Sequence, residues 1–341
     1  MKDTTIQTPS RASGSVTLDD VAKLADVSPI TVSRVLNHPE KVAQKTREKV
    51  QQAIARTGYV PNLLAGGLAS RKSRLIAAIV PSMANSVYAD TIKFFTGKMR
   101  DAGYQVILGE SGFLDTQEES LISAVLSRRP DGIFLTGTQH SMECKRMLIG
   151  ANIPIVETWD LTPTPLDVIV GFSHQKIGEA VAEYLWAKGH RRIAIVTATD
   201  HRALIRQNTF LEALAGHGIN EVAISHVQAP SSFRAGREGL AQLLDGGFTG
   251  GAVFFSSDTL AQGGIAEAQS RGISIPDQLA LVGFGDQPYA AYTFPALSTV
   301  HFDRAMIGQR AAEALLSRID GKTVAANVID VGFEIIERET T

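Results

Sequence analysis

From Leu75 onward the chain repeats one pattern, a short unbroken apolar run followed by a stretch with helical spacing. The first series of runs reads "RLIAAIVP", "YQVILGE", "DGIFLTG" and "NIPIVET". After "DVIVGF" a second series follows, "RRIAIVT", "EVAISHV", "GGAVFFSS" and "QLALVGF". Continuous apolar strands alternating with helices require parallel sheets covered on both faces. Two series of similar length predict two doubly wound subdomains with a ligand cleft between them. "STVHF", a helix at 304–320 and "NVIDVGFEII" add late strands and a crossover. The expected bounds are about 74–171 plus the late crossover, and about 172–300 plus the C-terminal strands. No leucine heptad follows Ile336, so no C-terminal coiled coil is expected.

A chain of 341 residues with 44% hydrophobic and 20% charged residues has the composition of a globular protein with sizeable cores. No run approaches the roughly 18 apolar residues of a membrane span. Residues 1–16, "MKDTTIQTPSRASGSV", lack an apolar signal-peptide core and read as a disordered lead-in. The single Cys144 excludes an internal disulfide framework, and a reducing, cytoplasmic location is expected. Charge is divided unevenly. Residues 1–72 carry 11 Lys/Arg against 6 Asp/Glu, whereas the remainder carries 22 against 29. A basic head on an acidic body points to an anionic partner for the head.

Residues 17–60 read as three short helices. Thr17 and Asp20 form a capping-box pattern, and Leu18, Val21, Ala22, Leu24 and Ala25 supply an apolar stripe. Ser28 is a good N-cap and Pro29 a good first helical residue, so a second helix starts there and buries Val32 with Val35 or Leu36. The third, "KTREKVQQAIARTG", buries Val50 and Ile54 and stops at Gly58. The first two helices, "LDDVAKLADVSPITVSRVLN", have helix-turn-helix proportions. The second exposes Pro29, Ile30, Ser33 and Arg34. In a major groove Arg34 suits bidentate bonding to guanine, and Ile30 suits a thymine methyl. Thr17, Ser28, Thr31, Ser33, Asn37, Lys41, Lys45 and Arg47 are natural phosphate or backbone partners. A small helical bundle with a solvated basic face is the alternative.

"VTLDDVAKLADVSPITVSRVLN", followed by "KTREKVQQAIARTGYVPNLLAGGLAS", resembles the DNA-binding head of the lactose/galactose repressor (LacI/GalR) family. The resemblance implies operator DNA as partner, a homodimer, and a two-subdomain core like that of periplasmic binding proteins. Tyr59 and Asn62 fall in the family's "YxPN" signature. The segment after it, within 61–73, becomes a hinge helix when such a dimer sits on its operator. A leucine at the position of Leu68 then wedges into the minor groove, and Ala65 and Ala69 match the small residues that let two hinge helices pack. Gly66 and Gly67 depart from a good helix former by up to about 2 kcal/mol together.

The family's ligand sites lie at strand ends facing the cleft. By position the resemblance points to Ser82, Asn85 and Tyr88; to Glu157 and Trp159; to Phe172; to Arg202 and Arg206; to Ser257 and Asp258; and to Asp286. Each has a plainer reading as core, cap or surface ion pair. Two arginines aimed at one pocket suit a carboxylate, and neighbouring acids and hydroxyls suit a polyol, so the expected effector is a sugar acid. "LTGTQH", "PIVETWD", "DVIVGF" and "DVGF" are similar to the gluconate-repressor branch, including 2-ketogluconate-responsive regulators of the PtxS type.

Enzyme signatures are missing: no phosphate loop, nucleophile elbow, zinc helix or dinucleotide fingerprint occurs, and no cofactor or metal is expected. Glu143 and Cys144 near His140 are too isolated for a metal site. A solute-binding protein for uptake, a sugar-modifying enzyme and a regulator whose ligand strengthens DNA binding remain the alternatives. Operator binding that requires residues 1–72, and the absence of turnover, discriminate among them.

Overall fold

A computed structural model describes residues 16–60, 72–83, 86–112 and 114–341. The lead-in and most of the hinge segment, with Asn62, Ala65, Leu68 and Ala69, lie outside the described residues, as does Asn85. The chain divides into two compact units between Ser73 and Arg74. Among the described residues no helix is long and apolar enough to cross a membrane.

The first unit holds α1 (Leu18–Ala25), α2 (Pro29–Asn37) and α3 (Gln44–Thr57). Each start has a local cause. The Asp20 amide donates to Thr17 Oγ1 and the Thr17 amide donates to the Asp20 carboxylate, closing a capping box. Ser28 Oγ accepts from the Thr31 amide ahead of Pro29. Caps of this kind are worth about 1 kcal/mol each. Gly58, with φ of 66°, ends α3 in the left-handed region open to glycine. Val21, Ala22, Ala25, Val32, Val35, Val50 and Ala53 form the core, with Val27 packed at its edge. Two expectations fail here. Leu24 is exposed rather than buried, because the stripe through Val21 and Ala25 turns it outward. Ala53 takes the central place expected of Ile54, which is only half-buried.

The second unit contains two six-stranded sheets. The first comprises β1 (Leu75–Val80), β2 (Gln105–Glu110), β3 (Gly132–Thr136), β4 (Ile155–Thr158), β5 (Val168–Gly171) and β11 (Val328–Asp330), in the order β11-β5-β4-β3-β1-β2. The second comprises β6 (Ile193–Ala198), β7 (Ala223–Val227), β8 (Gly251–Phe255), β9 (Leu279–Phe284), β10 (Ser298–His301) and β12 (Glu334–Ile336), in the order β12-β10-β9-β8-β6-β7. All pairings are parallel except β10 with β12. The central strands are buried along nearly their whole length, which is why they read as unbroken apolar runs.

In the first half, α4 (Ala89–Asp101), α5 (Asp115–Leu126) and α6 (Met142–Ala151) connect the strands. In the second, α7 (His174–Ala187) precedes β6, and α8 (His201–Gly216), α9 (Phe233–Asp245) and α10 (Asp258–Ser270) connect the strands. The final helix, α11 (Arg304–Ile319), returns to pack on α4 and the first sheet. The chain therefore crosses between halves three times, after Gly171, after His301 and after Asp330. Each sheet places its first strand between its second and third, the switch-point arrangement that opens a crevice at the carboxyl ends of the strands.

Candidate functional site

The DNA-facing candidates sit on and around α2. Pro29, Ile30 and Arg34 are exposed, with Ile30 70% accessible although it is a large aliphatic residue. Lys41 and Lys45 are exposed, while Arg47 and Tyr59 are half-buried. Several polar candidates have internal bonds. Thr17 closes the capping box of α1. Ser28 caps α2 and its hydroxyl also pairs with that of Thr31 at 2.9 Å. The Asn37 side-chain amide donates to the Ser33 carbonyl at 3.0 Å.

In the second unit a cavity opens where the carboxyl ends of β4, β6, β8 and β9 converge. Tyr88, Trp159, His174, Asp200, Arg202, Arg206, Ser256, Ser257, Thr259, Phe284 and Gln287 line it, with Val87 and the 229–231 loop. Asp200 caps α8 by accepting from the Ala203 amide, and the helix then presents Arg202 and Arg206 one turn apart.

Neither arginine has a carboxylate within salt-bridge distance among the described residues. Arg202 Nη2 donates to the Tyr88 hydroxyl at 2.7 Å, and its Nη1 is buried without a partner. Arg206 is 4% accessible; Nη1 donates to His174 Nδ1 at 2.8 Å, Nη2 donates to the Ser256 carbonyl at 3.0 Å, and Nε has no partner. Its guanidinium lies over the Phe284 ring. Burial pulls the Arg206 pKa down to about 10, with Arg202 adding to that fall and Asp200 resisting it. Both side chains remain charged at neutral pH.

His174 is held in one protonation state. A guanidinium only donates, so Nδ1 accepts from Arg206; a carbonyl only accepts, so Nε2 carries the proton that bonds the Trp159 carbonyl at 2.9 Å. Burial, then the charges of Arg206 and Arg202, hold its pKa well below 6.5. Trp159 itself has φ of 70°, left-handed for a bulky residue. Its ring packs edge-on against Tyr88, Phe302 and Phe172. Strain of this kind, of order 1–3 kcal/mol, persists only where the surroundings enforce it.

The structure thus brings Tyr88, Trp159, Arg202, Arg206 and Ser257 to one cavity. The other candidates lie elsewhere. Phe172 is fully buried and stacks on Phe302 at 4.2 Å beneath the cavity rather than on its wall. Asp258 is buried behind Ser257, accepting from the Gln287 amide at 2.6 Å and from Thr299 Oγ1 at 2.5 Å; it braces the ends of β9 and β10. Ser257, not Asp258, caps α10. Asp286 is committed to His301 and Arg338, each at 2.8 Å, and those bonds hold its pKa low against the opposing effect of burial. Glu157 is buried, accepts from the Leu166 amide at 2.7 Å, and has its pKa raised by that burial. Ser82 borders a separate groove along α4. Spacing missed His174, Asp200, Ser256, Thr259, Phe284 and Gln287. Asp200 alone left a local sign, an N-cap directly before the arginine helix.

A helix-turn-helix head on a two-sheet core with a cavity between the sheets is the architecture that comparison with known proteins finds. Residues 17–62 match the model of bacterial regulatory proteins, lacI family, and residues 182–341 match a periplasmic binding protein-like domain. The chain is 40% identical over 334 residues to the HTH-type transcriptional regulator GntR of Pseudomonas aeruginosa, covering 97% of each chain.

The chain belongs to the LacI family.

This LacI-family protein is a DNA-binding transcriptional regulator, not an enzyme. A LacI-family regulator from Silicibacter pomeroyi superposes with a TM-score of 0.89 at 33% identity, over 95% of this chain and 99% of that one. The lac repressor dimer bound to operator and the anti-inducer ONPF superposes with a TM-score of 0.81 at 25% identity, over 96% and 99%. Members of the family bind operator DNA and small-molecule effectors and act as dimers.

Proposed function

We propose that this regulator is a repressor released from its operator by a sugar acid of the gluconate or 2-ketogluconate type. One observation carries the reading: two guanidiniums share a cavity with no carboxylate within salt-bridge distance among the described residues, and Arg202 Nη1 and Arg206 Nε are buried with hydrogens unspent. Asp200 in the lining bonds the Ala203 amide rather than either arginine, and a buried charge without a directly bonded counter-charge is costly, so the cavity favours an anionic guest. The hydroxyls of Ser257 and Thr259 and the amide of Gln287 suit the polyol chain of such an acid. Cytoplasmic action follows from DNA as the partner.

The proposed assembly is a homodimer that sets two α2 helices in successive major grooves of a pseudo-palindromic site, with paired hinge segments in the minor groove between them. Exposed Tyr292 and Phe294 in the second half, and Phe94, Ile107 and Leu108 in the first, offer apolar surface for a second copy. A sugar acid closing the cleft alters how the N-terminal halves meet and shifts the equilibrium off DNA. Such coupling is typically worth 1–3 kcal/mol and is reciprocal.

A thermal-shift comparison of gluconate, 2-ketogluconate and neutral sugars tests the effector. Stabilisation by one of the acids is expected; stabilisation by neutral sugars alone overturns the reading. Operator titrations with and without the active acid then give the sign, and tighter binding with the acid replaces induction by co-repression.

A further inference from the structure

We propose that His174 is a positioning residue that joins the anion anchor on one half of the core to the strained Trp159 peptide on the other. Filling of the cavity is thereby transmitted to the N-terminal half. The proposal rests on the sugar-acid reading above.

Both arginines belong to α8, in the second half, and both reach Trp159, at the end of β4 in the first. Arg202 does so through Tyr88, whose ring centroid is 4.8 Å from that of Trp159. Arg206 does so through His174, which bonds the Trp159 carbonyl. The Trp159 amide donates to the Val170 carbonyl at 3.2 Å, so the residue is held on one side by the sheet and on the other by His174. A left-handed residue held between two hydrogen bonds is an element with an alternative. Without the His174 bond its carbonyl is free to rotate and the backbone to relax.

The chemistry of the link is specific. An aspartate in place of His174 would pair with Arg206 and neutralise the charge that draws the ligand. A lysine or arginine offers no acceptor. Neutral imidazole accepts from the guanidinium at one nitrogen and donates from the other, so it fixes Arg206 without spending its charge. An anion that draws Arg206 through Nε moves a cation already bonded to His174, and the displacement passes to the Trp159 peptide.

Three variants separate the roles. His174→Gln keeps an acceptor and a donor. His174→Asn keeps an acceptor near the Nδ1 position but is too short to reach the Trp159 carbonyl. His174→Phe keeps the ring and loses both bonds. Gluconate and 2-ketogluconate affinities are measured by calorimetry, and operator affinity by anisotropy with and without saturating acid. Trp159 emission is followed in a Trp186→Phe background. His174→Phe is expected to weaken acid binding roughly tenfold, the scale of one lost hydrogen bond to a charged group. His174→Asn is expected to keep part of the acid affinity that His174→Phe loses, yet at saturating acid to lose most of the operator response and the Trp159 emission change. His174→Gln restores both. A full operator response in His174→Asn, with wild type also responding, overturns this proposal alone. Wild-type protein that binds neither acid overturns the sugar-acid reading and this proposal with it. If His174→Phe does not fold, the Asn and Gln variants decide the matter.

Discussion

The guanidinium carbon of Arg206 lies 3.8 Å from the centroid of the Phe284 ring. A desolvated cation over an aromatic face gains about 2 kcal/mol. Phe284→Leu keeps an apolar contact but removes the negative π face. It is expected to weaken sugar-acid binding about tenfold or more, measured by calorimetry, while operator affinity without ligand stays near wild type. Unchanged acid affinity would show that Ser256 and His174 suffice to hold Arg206.

Gly178 of α7 sets how closely α8 approaches. A Cβ there would stand 2.1 Å from Thr209 Oγ1 and 2.3 Å from the Arg206 carbonyl oxygen. Gly178→Ala must therefore part the two helices at the residue that carries the anchor. A stability loss of about 1–3 kcal/mol by urea denaturation is expected, with weaker acid binding alongside it.

Two buried groups give the stability of the core opposite pH dependences. His174 has a depressed pKa, so the unfolded chain takes up a proton near pH 6.5 that the folded chain refuses, and stability falls as pH drops through that value. Asp258 is pushed up to about 6 by burial, against the bonds from Thr299 and Gln287, so the folded chain protonates first. Its contribution grows as pH falls from about 6 towards 3.8 and is lost again as pH rises. Between pH 7.5 and 5, His174→Phe is expected to lose less stability than wild type and Asp258→Asn more, each compared with its own value at pH 7.5. Parallel pH profiles by calorimetry would contradict both assignments.

At the head, exposed Arg34 and the exposed lysines separate base reading from charge neutralisation. Arg34→Ala is expected to relax preference at one operator base pair by about 1–3 kcal/mol. Lys41→Ala and Lys45→Ala should weaken all sequences alike and each flatten the slope of log affinity against log salt by about 0.9. Anisotropy on operator variants across a salt series reads both. A uniform loss with Arg34→Ala makes it a phosphate contact.

The hinge prediction rests on sequence. Replacing Gly66 and Gly67 together with Ala lowers the cost of a helix by about 2 kcal/mol, so operator binding should tighten and the response to the acid should diminish. Operator affinity no tighter than wild type would assign the glycines another purpose.

Much of this protein was determined by local order in the chain. Thr17, Ser28 and Pro29 mark helix starts because a cap bonds amides two or three residues away and the periodic residues that follow can form the helix. The strands read as apolar runs because both faces of each sheet are covered, and the repetition of that pattern implied two sheets and a cleft. Periodicity could also place Arg202 and Arg206 on one face, since they are one turn apart. It could not rank Leu24 against Ala25, or Ile54 against Ala53, because a stripe wider than the contact it makes leaves its edges exposed.

Only the tertiary structure decided which polar residues meet. His174 bonds partners 15 and 32 residues distant, and Asp258 bonds partners 29 and 41 residues away. Those pairings are set by how two sheets and three crossovers converge, so no local pattern encodes them. Asp258 and Asp286 looked like ligand acids because they follow strands at the carboxyl edge; packing turned one inward as a brace and gave the other to His301 and Arg338. The same convergence left Arg206 buried and Arg202 half-buried, each hydrogen-bonded to neutral partners. A sequence lists the charges, but whether a charge is already paired depends on what the fold brings within reach of it.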